Sequence, residues 1–155
     1  MRTSTTARLL GGLVTALALL LLPLVGPASA APSAAAPADG TPSGAIEWFQ
    51  QQSGDTSYEG LCEMAVENAY GTTGVWPSAR AHWEGARSAG KAHEGDTDPP
   101  EGAFVYWDTS ENGHVGIADG SGGFYSSSVG GAIGHAESLS YFGGYLGWSE
   151  PQVPA

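Results

Sequence analysis

Five short strand-like segments occupy the second half of this chain, and they limit the folds that it can adopt. From residue 103 onward the segments AFVYW, HVGIA, GFYSSS, GAIGHAES and YLGWS follow one another at about ten-residue spacing. Stretches such as SENG, DGSGG, VGG and FGG separate them, and glycine-rich stretches of this kind are typical of tight turns between antiparallel strands. The pattern predicts a roughly five-stranded antiparallel sheet.

Three helical segments precede these strands. Residues 45–52 (AIEWFQQQ) place apolar side chains three apart behind a cap near Ser43, and residues 61–71 (LCEMAVENAYG) end at a glycine. The third segment, residues 78–89 (SARAHWEGARSA), is begun by Pro77-Ser78 and stops before Gly90. Helices first and strands second predict an α+β fold in which a helical layer packs on one sheet.

The start of the chain carries the pattern of a secretory signal peptide over residues 1–30. Two arginines precede an apolar run from Leu9 to Val25, and Ala28-Ser29-Ala30 resembles a cleavage site. The alternative is a membrane anchor, but a glycine pair and Pro23 shorten the apolar run below the ~20 residues that a spanning helix needs. Residues 31–44, rich in Ala and Pro, predict a disordered leader. Residues 45–155 are then one secreted domain.

The charge of the secreted part excludes several classes of partner. All 16 acidic residues follow residue 30, whereas only Arg80, Arg87 and Lys91 remain as bases, so the formal charge is −13. Nucleic acids and anionic membranes need clustered Lys and Arg. We therefore expect neither nucleic acid nor an anionic membrane as a partner. We also expect a monomer.

Cys62 is the single cysteine of the chain, so no internal disulfide can form. The thiol is an intermolecular half-cystine, an inert buried group or a nucleophile. It lies in the first turn of a predicted helix, where the helix dipole favours a thiolate, while Glu59 and Glu63 oppose this. A helical projection puts Glu63 and Glu67 opposite the apolar face and places Cys62 beside that apolar face. The apolar face consists of Leu61, Met64, Ala65 and Ala69.

His114 is the candidate base for this thiol, because it opens an apolar strand directly after a turn. A third polar group is needed to orient the imidazole. Ser126 faces the same region if residues 119–123 form a hairpin turn, and His135 and Glu137 are the alternatives.

The remaining candidate sites are weaker. Tyr58 and Trp107 lie near the proposed site and are candidates for lining a substrate groove. The acids of residues 94–101 lack the glycine and terminal glutamate of an EF-hand loop, and the histidines lack the spacing of zinc ligands. We expect no metal and no cofactor.

Five segments carry a family resemblance, in the order YEGLCEMAVENAYG, PSARAHW, PPEGAFVYWD, GHVGIADGSGGFYSSS and YLGWSEP. Through these segments the chain resembles the secreted NlpC-type and CHAP-type cysteine peptidases and amidases of bacterial cell walls, over about residues 45–151. The resemblance implies a papain-like core with Cys62 as nucleophile, His114 as base and Ser126 as the third residue. It also implies a peptidoglycan amide as substrate, cleaved by a stem peptide endopeptidase or a muramoyl-peptide amidase. The alternatives are a related transferase and a catalytically weak or inactive binding module on the same fold.

Overall fold

Three α-helices and one six-stranded antiparallel sheet make up the described part of the computed structural model, residues 38–152 and 154. The helices are α1 (Pro42–Gln51), α2 (Cys62–Ala69) and α3 (Ala79–Ser88), and a 3-10 helix covers Leu139–Tyr141. The predicted α+β class is confirmed. None of the helices in these residues is both long enough and apolar enough to cross a bilayer.

The sheet contains one strand more than the sequence predicted. Its strands are β1 (Ala92–Glu94), β2 (Phe104–Trp107), β3 (His114–Ala118), β4 (Phe124–Val129), β5 (Ala132–Ala136) and β6 (Tyr145–Ser149), in the spatial order β1-β6-β2-β3-β4-β5. Only β2 to β5 form a meander, because β6 returns to the far side of β2 and pairs there with β1. The three residues of β1 are too few for a period-two pattern to be recognised.

Helix starts follow local capping chemistry. Thr41 caps α1 by accepting a hydrogen bond from the Gly44 amide, and Pro42 occupies the first turn, where its missing N–H costs nothing. The helix therefore begins at Pro42, earlier than the expected cap near Ser43, and residues 42–44 lie within it. The expectations for residues 1–37, including the signal peptide, lie outside the described residues. Ser78 caps α3 as the sequence predicted.

Side chains of β2 alternate between two apolar clusters, as the pleat of a strand requires. Phe104 and Tyr106 face the helices and join a cluster with residues of all three, whereas Val105 and Trp107 join a second cluster on the opposite face of the sheet. His114 pairs directly with Trp107 across β2 and β3, so its side chain belongs to the face opposite the helices. His114 is also the first residue of β3, and this end of the strand borders a cleft at the start of α2.

Candidate active site

A cleft with a volume of about 400 Å³ opens where the start of α2 meets the start of β3. Its walls come from three segments: the first turns of α2, the segment between α2 and α3, and the loop that leads into β3. Cys62 and His114 both line this cleft. The two residues that the sequence singled out as nucleophile and base are thus brought to one cavity.

Cys62 is the first residue of α2 and is half-buried. Leu61 is the N-cap residue of α2, and its side chain makes no hydrogen bond to the helix. The amides of the first turn are therefore not occupied by a capping side chain at this position. Burial raises the pKa of the Cys62 thiol, hydrogen bonds from the backbone amides of Val115 and Glu63 lower it, and the Glu63 charge raises it. The net shift of the thiol pKa is upward and comes chiefly from burial, so the protonated thiol is favoured over the thiolate.

His114 is held in place by Ser126. The Oγ of Ser126 lies 2.9 Å from Nε2 of His114 and donates its hydrogen to the Val115 carbonyl at 2.6 Å. Because that hydrogen is already used, the serine oxygen accepts a hydrogen bond from Nε2–H, and Nδ1 is left with the lone pair of a base. Burial lowers the pKa of His114 to about 4, although the Glu59 charge and the Ser127 backbone raise it. The ring is therefore neutral at neutral pH.

The hairpin that brings Ser126 to His114 has the predicted position. Strand β3 pairs with β4 through Ile117–Tyr125 and Ala118–Phe124, and the turn lies between them. Gly116 permits the close approach, since an added Cβ would come within 2.7 Å of the Tyr125 carbonyl oxygen.

The alternative partners for the imidazole lie elsewhere. His135 Nε2 contacts Asp119 Oδ2 at 2.7 Å on the outer part of the hairpin, and Glu137 is exposed. Among the three candidates, the structure brings only Ser126 to the His114 ring.

The glutamate face of α2 is buried, which the helical projection did not indicate. Glu63 is 7% exposed and Glu67 1% exposed, whereas Leu61 and Met64 of the predicted apolar face are exposed. Both glutamates are buried because they have polar partners that come from outside the helix. The projection placed the apolar face correctly only for Ala65 and Ala69.

Glu63 pairs with a histidine that the sequence gave no reason to select. Its Oε1 lies 2.9 Å from Nδ1 of His82, whose ring stacks on Trp76 with 5.5 Å between ring centroids. Burial raises the pKa of Glu63, against the hydrogen bond and charge of His82, which lower it. The second carboxylate oxygen of Glu63 and the indole N–H of Trp76 are buried without a hydrogen-bond partner, and both residues line the cleft.

Two residues anchor the walls of the cleft. Glu67 accepts hydrogen bonds from the backbone amides of Gly74 and Trp76, at 2.6 Å for the latter, and so holds the segment after α2 against the helix. Arg80 on α3 holds the opposite loop: its Nε donates to the Glu111 carbonyl at 2.7 Å, and its Nη2 contacts Asp108 and the Ser110 carbonyl. No short sequence motif predicts either role. Each anchor binds backbone groups that lie in a loop or far away along the chain.

Tyr58 and Trp107, the two residues predicted to line a substrate groove, are not among the residues that line this cleft. Tyr58 packs edge-on against Trp48 and accepts a hydrogen bond from Asn68. Trp107 is fully buried, donates to the Leu139 carbonyl at 2.9 Å and lies 6.0 Å from the His114 ring centroid. Its position makes it part of the packing behind His114.

Within residues 38–152 and 154, no three His, Cys, Asp or Glu side chains are grouped so that they could hold a metal ion. The ionisable side chains that line the cleft in these residues are the Cys62 thiol, the His114 imidazole and the carboxylates of Glu63 and Glu67.

No family model, no curated protein and no solved structure matches this chain. The resemblance to NlpC-type and CHAP-type enzymes and the papain-like core that it implies both stay predictions from the motifs.

Proposed function

We propose that this protein is a secreted cysteine hydrolase with a papain-like core that cleaves an amide bond in peptidoglycan, as a stem peptide endopeptidase or a muramoyl-peptide amidase. The observation that carries the proposal is the shared cleft of Cys62 and His114, with His114 held through Nε2 by Ser126. A thiol, a base and a group that orients the base are the parts that nucleophilic amide hydrolysis requires.

In the proposed reaction His114 Nδ1 accepts the thiol proton while the Cys62 sulfur attacks the amide carbonyl. Backbone amides of the first turn of α2 stabilise the oxyanion of the tetrahedral intermediate. The C–N bond then breaks, the leaving amine takes the proton from His114, and a thioester remains on Cys62. Water, deprotonated by His114, attacks the thioester and releases the carboxylic acid with regeneration of the thiol.

The direction of both pKa shifts determines when the proton moves. A raised thiol pKa and an imidazole pKa of about 4 favour the neutral pair over a thiolate–imidazolium pair in the free protein. In the described residues no hydrogen bond joins the thiol to the ring. Proton transfer therefore accompanies attack on bound substrate, and catalytic contacts that are long in a free enzyme commonly tighten in its complex.

The neutral state of the pair also favours one other candidate function. A secreted module that binds wall peptides in the same cleft, without chemistry, needs neither an ionised thiol nor a contact between thiol and ring. Turnover separates this binding module from a hydrolase.

Purified cell-wall sacculi provide the test. We expect the wild type to generate new amine and carboxyl ends, located by derivatisation and mass spectrometry, and we expect Cys62→Ser and His114→Ala to generate none. Ser127→Ala is the matched control, because its buried hydroxyl has no hydrogen-bond partner. Binding of wall fragments without new ends in any variant contradicts the hydrolase and supports the binding module.

A further inference from the structure

Ser128 on β4 has an unusual backbone conformation close to the residues that hold His114. Its φ is 62°, and within residues 38–152 and 154 every other residue with a positive φ is a glycine. The left-handed region is disfavoured for any residue that carries a Cβ, because the Cβ approaches the following carbonyl oxygen. Conformations of this kind persist only where the surrounding structure imposes them, and they are common next to active sites.

The cause of this conformation is an extra residue in β4. Ser126 pairs with Gly134 and Val129 pairs with Ala132, so three steps along β4 are matched by two steps along β5. A turn of two glycines joins Val129 to Ala132 and fixes the second of these registers. The extra residue forms a β-bulge at residues 127–128, and the left-handed backbone of the bulge accommodates it.

The pairing of β3 with β4 ends where this bulge begins. Their register consists of Ile117–Tyr125 and Ala118–Phe124, whereas residues 114–116 of β3 have no ladder partner in the described part of β4. A bulge bends its own strand and interrupts the ladder locally. Backbone groups at the start of β3 are therefore open to other partners.

Val115 uses both of its backbone groups in the active site. Its carbonyl accepts the hydrogen of Ser126 Oγ at 2.6 Å, and its amide donates to the Cys62 thiol. The first contact leaves the Ser126 oxygen as an acceptor for Nε2–H of His114, at 2.9 Å. In an unbroken ladder, backbone groups of β3 that face β4 would pair with β4 instead. The open ladder thus connects one backbone residue to both members of the proposed catalytic pair.

We propose that Ser128 is a positioning residue whose left-handed backbone maintains the bulge and so keeps the β3–β4 ladder open beside Val115. Ser128 acts through Val115 and Ser126 on the tautomer of the His114 ring. A residue at position 128 that prefers an extended backbone lets the two strands pair, and the Val115 carbonyl is then lost to Ser126. The inference rests on the proposed function only for the reaction in which this tautomer serves.

Substitutions that differ in their tolerance of a positive φ test this role. Ser128→Gly and Ser128→Asn adopt the left-handed region readily, Ser128→Ala does so less well, and the β-branched Ser128→Val does so least. On solubilised wall fragments we expect wild-type kcat for the first two and a lower kcat for Ser128→Ala. Ser128→Val should lose at least about tenfold in kcat with a smaller change in KM, because the ring is misoriented while the cleft remains.

The tautomer of His114 is the readout that a purely structural role would not move, and it requires no turnover. Nitrogen NMR of the imidazole at neutral pH should show the Nε2–H form in the wild type and in Ser128→Gly. Ser128→Val should show a mixture of both tautomers. Ala132→Val is the matched control, since it adds a β-branched side chain to the partner strand at a half-buried residue outside the left-handed region. It should leave the tautomer and kcat unchanged.

Amide NMR spectra report the folding of each variant, and if Ser128→Val does not fold, Ser128→Ala decides. A wild-type ring without the Nε2–H form, or an unchanged tautomer in the folded variant, overturns the inference. So does an equal change of tautomer in Ser128→Gly or in Ala132→Val. A tautomer change confined to Ser128→Val and Ser128→Ala, together with intact sacculi in the wild type, would overturn the hydrolase and leave the positioning role of Ser128 standing.

Discussion

Burial around Cys62 raises the pKa of its thiol, and the adjacent Glu63 charge adds to this effect. The thiolate is the reactive species, so a raised pKa means a smaller thiolate fraction at pH 7 than in free cysteine. We expect iodoacetamide to alkylate Cys62 more slowly than a cysteine peptide at pH 7. The rate should rise about tenfold per pH unit through pH 9, because the thiolate fraction grows in proportion until the pKa is reached.

Glu63→Gln should increase the alkylation rate of Cys62 at pH 7, because it removes a negative charge that disfavours the thiolate. Glu84→Gln changes the charge by the same amount on an exposed part of α3 and should leave the rate unchanged. A plateau of the wild-type rate below pH 8 would contradict the raised pKa.

Ser126 and its neighbour Ser127 form a natural pair of test positions. Both are fully buried, but only Ser126 has its hydroxyl on the His114 ring, whereas the Ser127 hydroxyl has no partner. We expect Ser126→Ala to lower kcat by about tenfold or more with a smaller change in KM, since the ring loses its tautomer and orientation. Ser127→Ala should retain kcat. Equal effects of the two variants would remove Ser126 from the role of positioning residue.

At the scale of elements, one helix start, one helix end and one hairpin were predictable because local interactions determine them, whereas the Thr41 cap that starts α1 was missed. Ser78 before α3 and the glycine after α2 were predicted from their residue types, and the hairpin that carries Ser126 followed from its turn residues. The buried face of α2 was not predictable in this way. Glu63 and Glu67 are buried because His82 and the amides of Gly74 and Trp76 satisfy them, and these partners become neighbours only in the folded chain.

The loop that leads into His114 depends on Arg80, and this dependence can be measured. Arg80 donates to the Glu111 and Ser110 carbonyls, whereas Arg87 on the same helix pairs only with the exposed Glu84 and Glu94. We expect Arg80→Ala to accelerate amide hydrogen exchange in residues 109–113 and to lower activity.

Arg87→Ala should change neither exchange in residues 109–113 nor activity. Both arginines are partly exposed, with 41% and 43% of the side-chain surface accessible, so each variant should lower the free energy of unfolding only slightly. Unchanged exchange in Arg80→Ala would show that the loop holds its shape without this anchor.

At the scale of the whole molecule, the sequence predicted the α+β class but not the complete sheet. The position of β6 between β1 and β2 depends on a long-range pairing, including Tyr106 with Gly147 and His93 with Trp148, that no local pattern specifies. The same folding brings residues 62 and 114 to one cleft. The choice of Cys62 and His114 rested on residue chemistry and motif order, whereas their shared cavity is a property of the assembled helix and sheet.

The central claim is that the Cys62 sulfur and the His114 ring act together across this cleft, and a short bifunctional alkylator tests it directly. With 1,3-dibromoacetone at pH 7 we expect one covalent bridge between Cys62 and His114, identified by mass spectrometry of the digested protein. The unprotonated ring nitrogen is available as a nucleophile because the His114 pKa is about 4. The bridge should form in Ser127→Ala and be absent in His114→Ala. Single attachment at Cys62, or a bridge to His82 instead, would contradict the account.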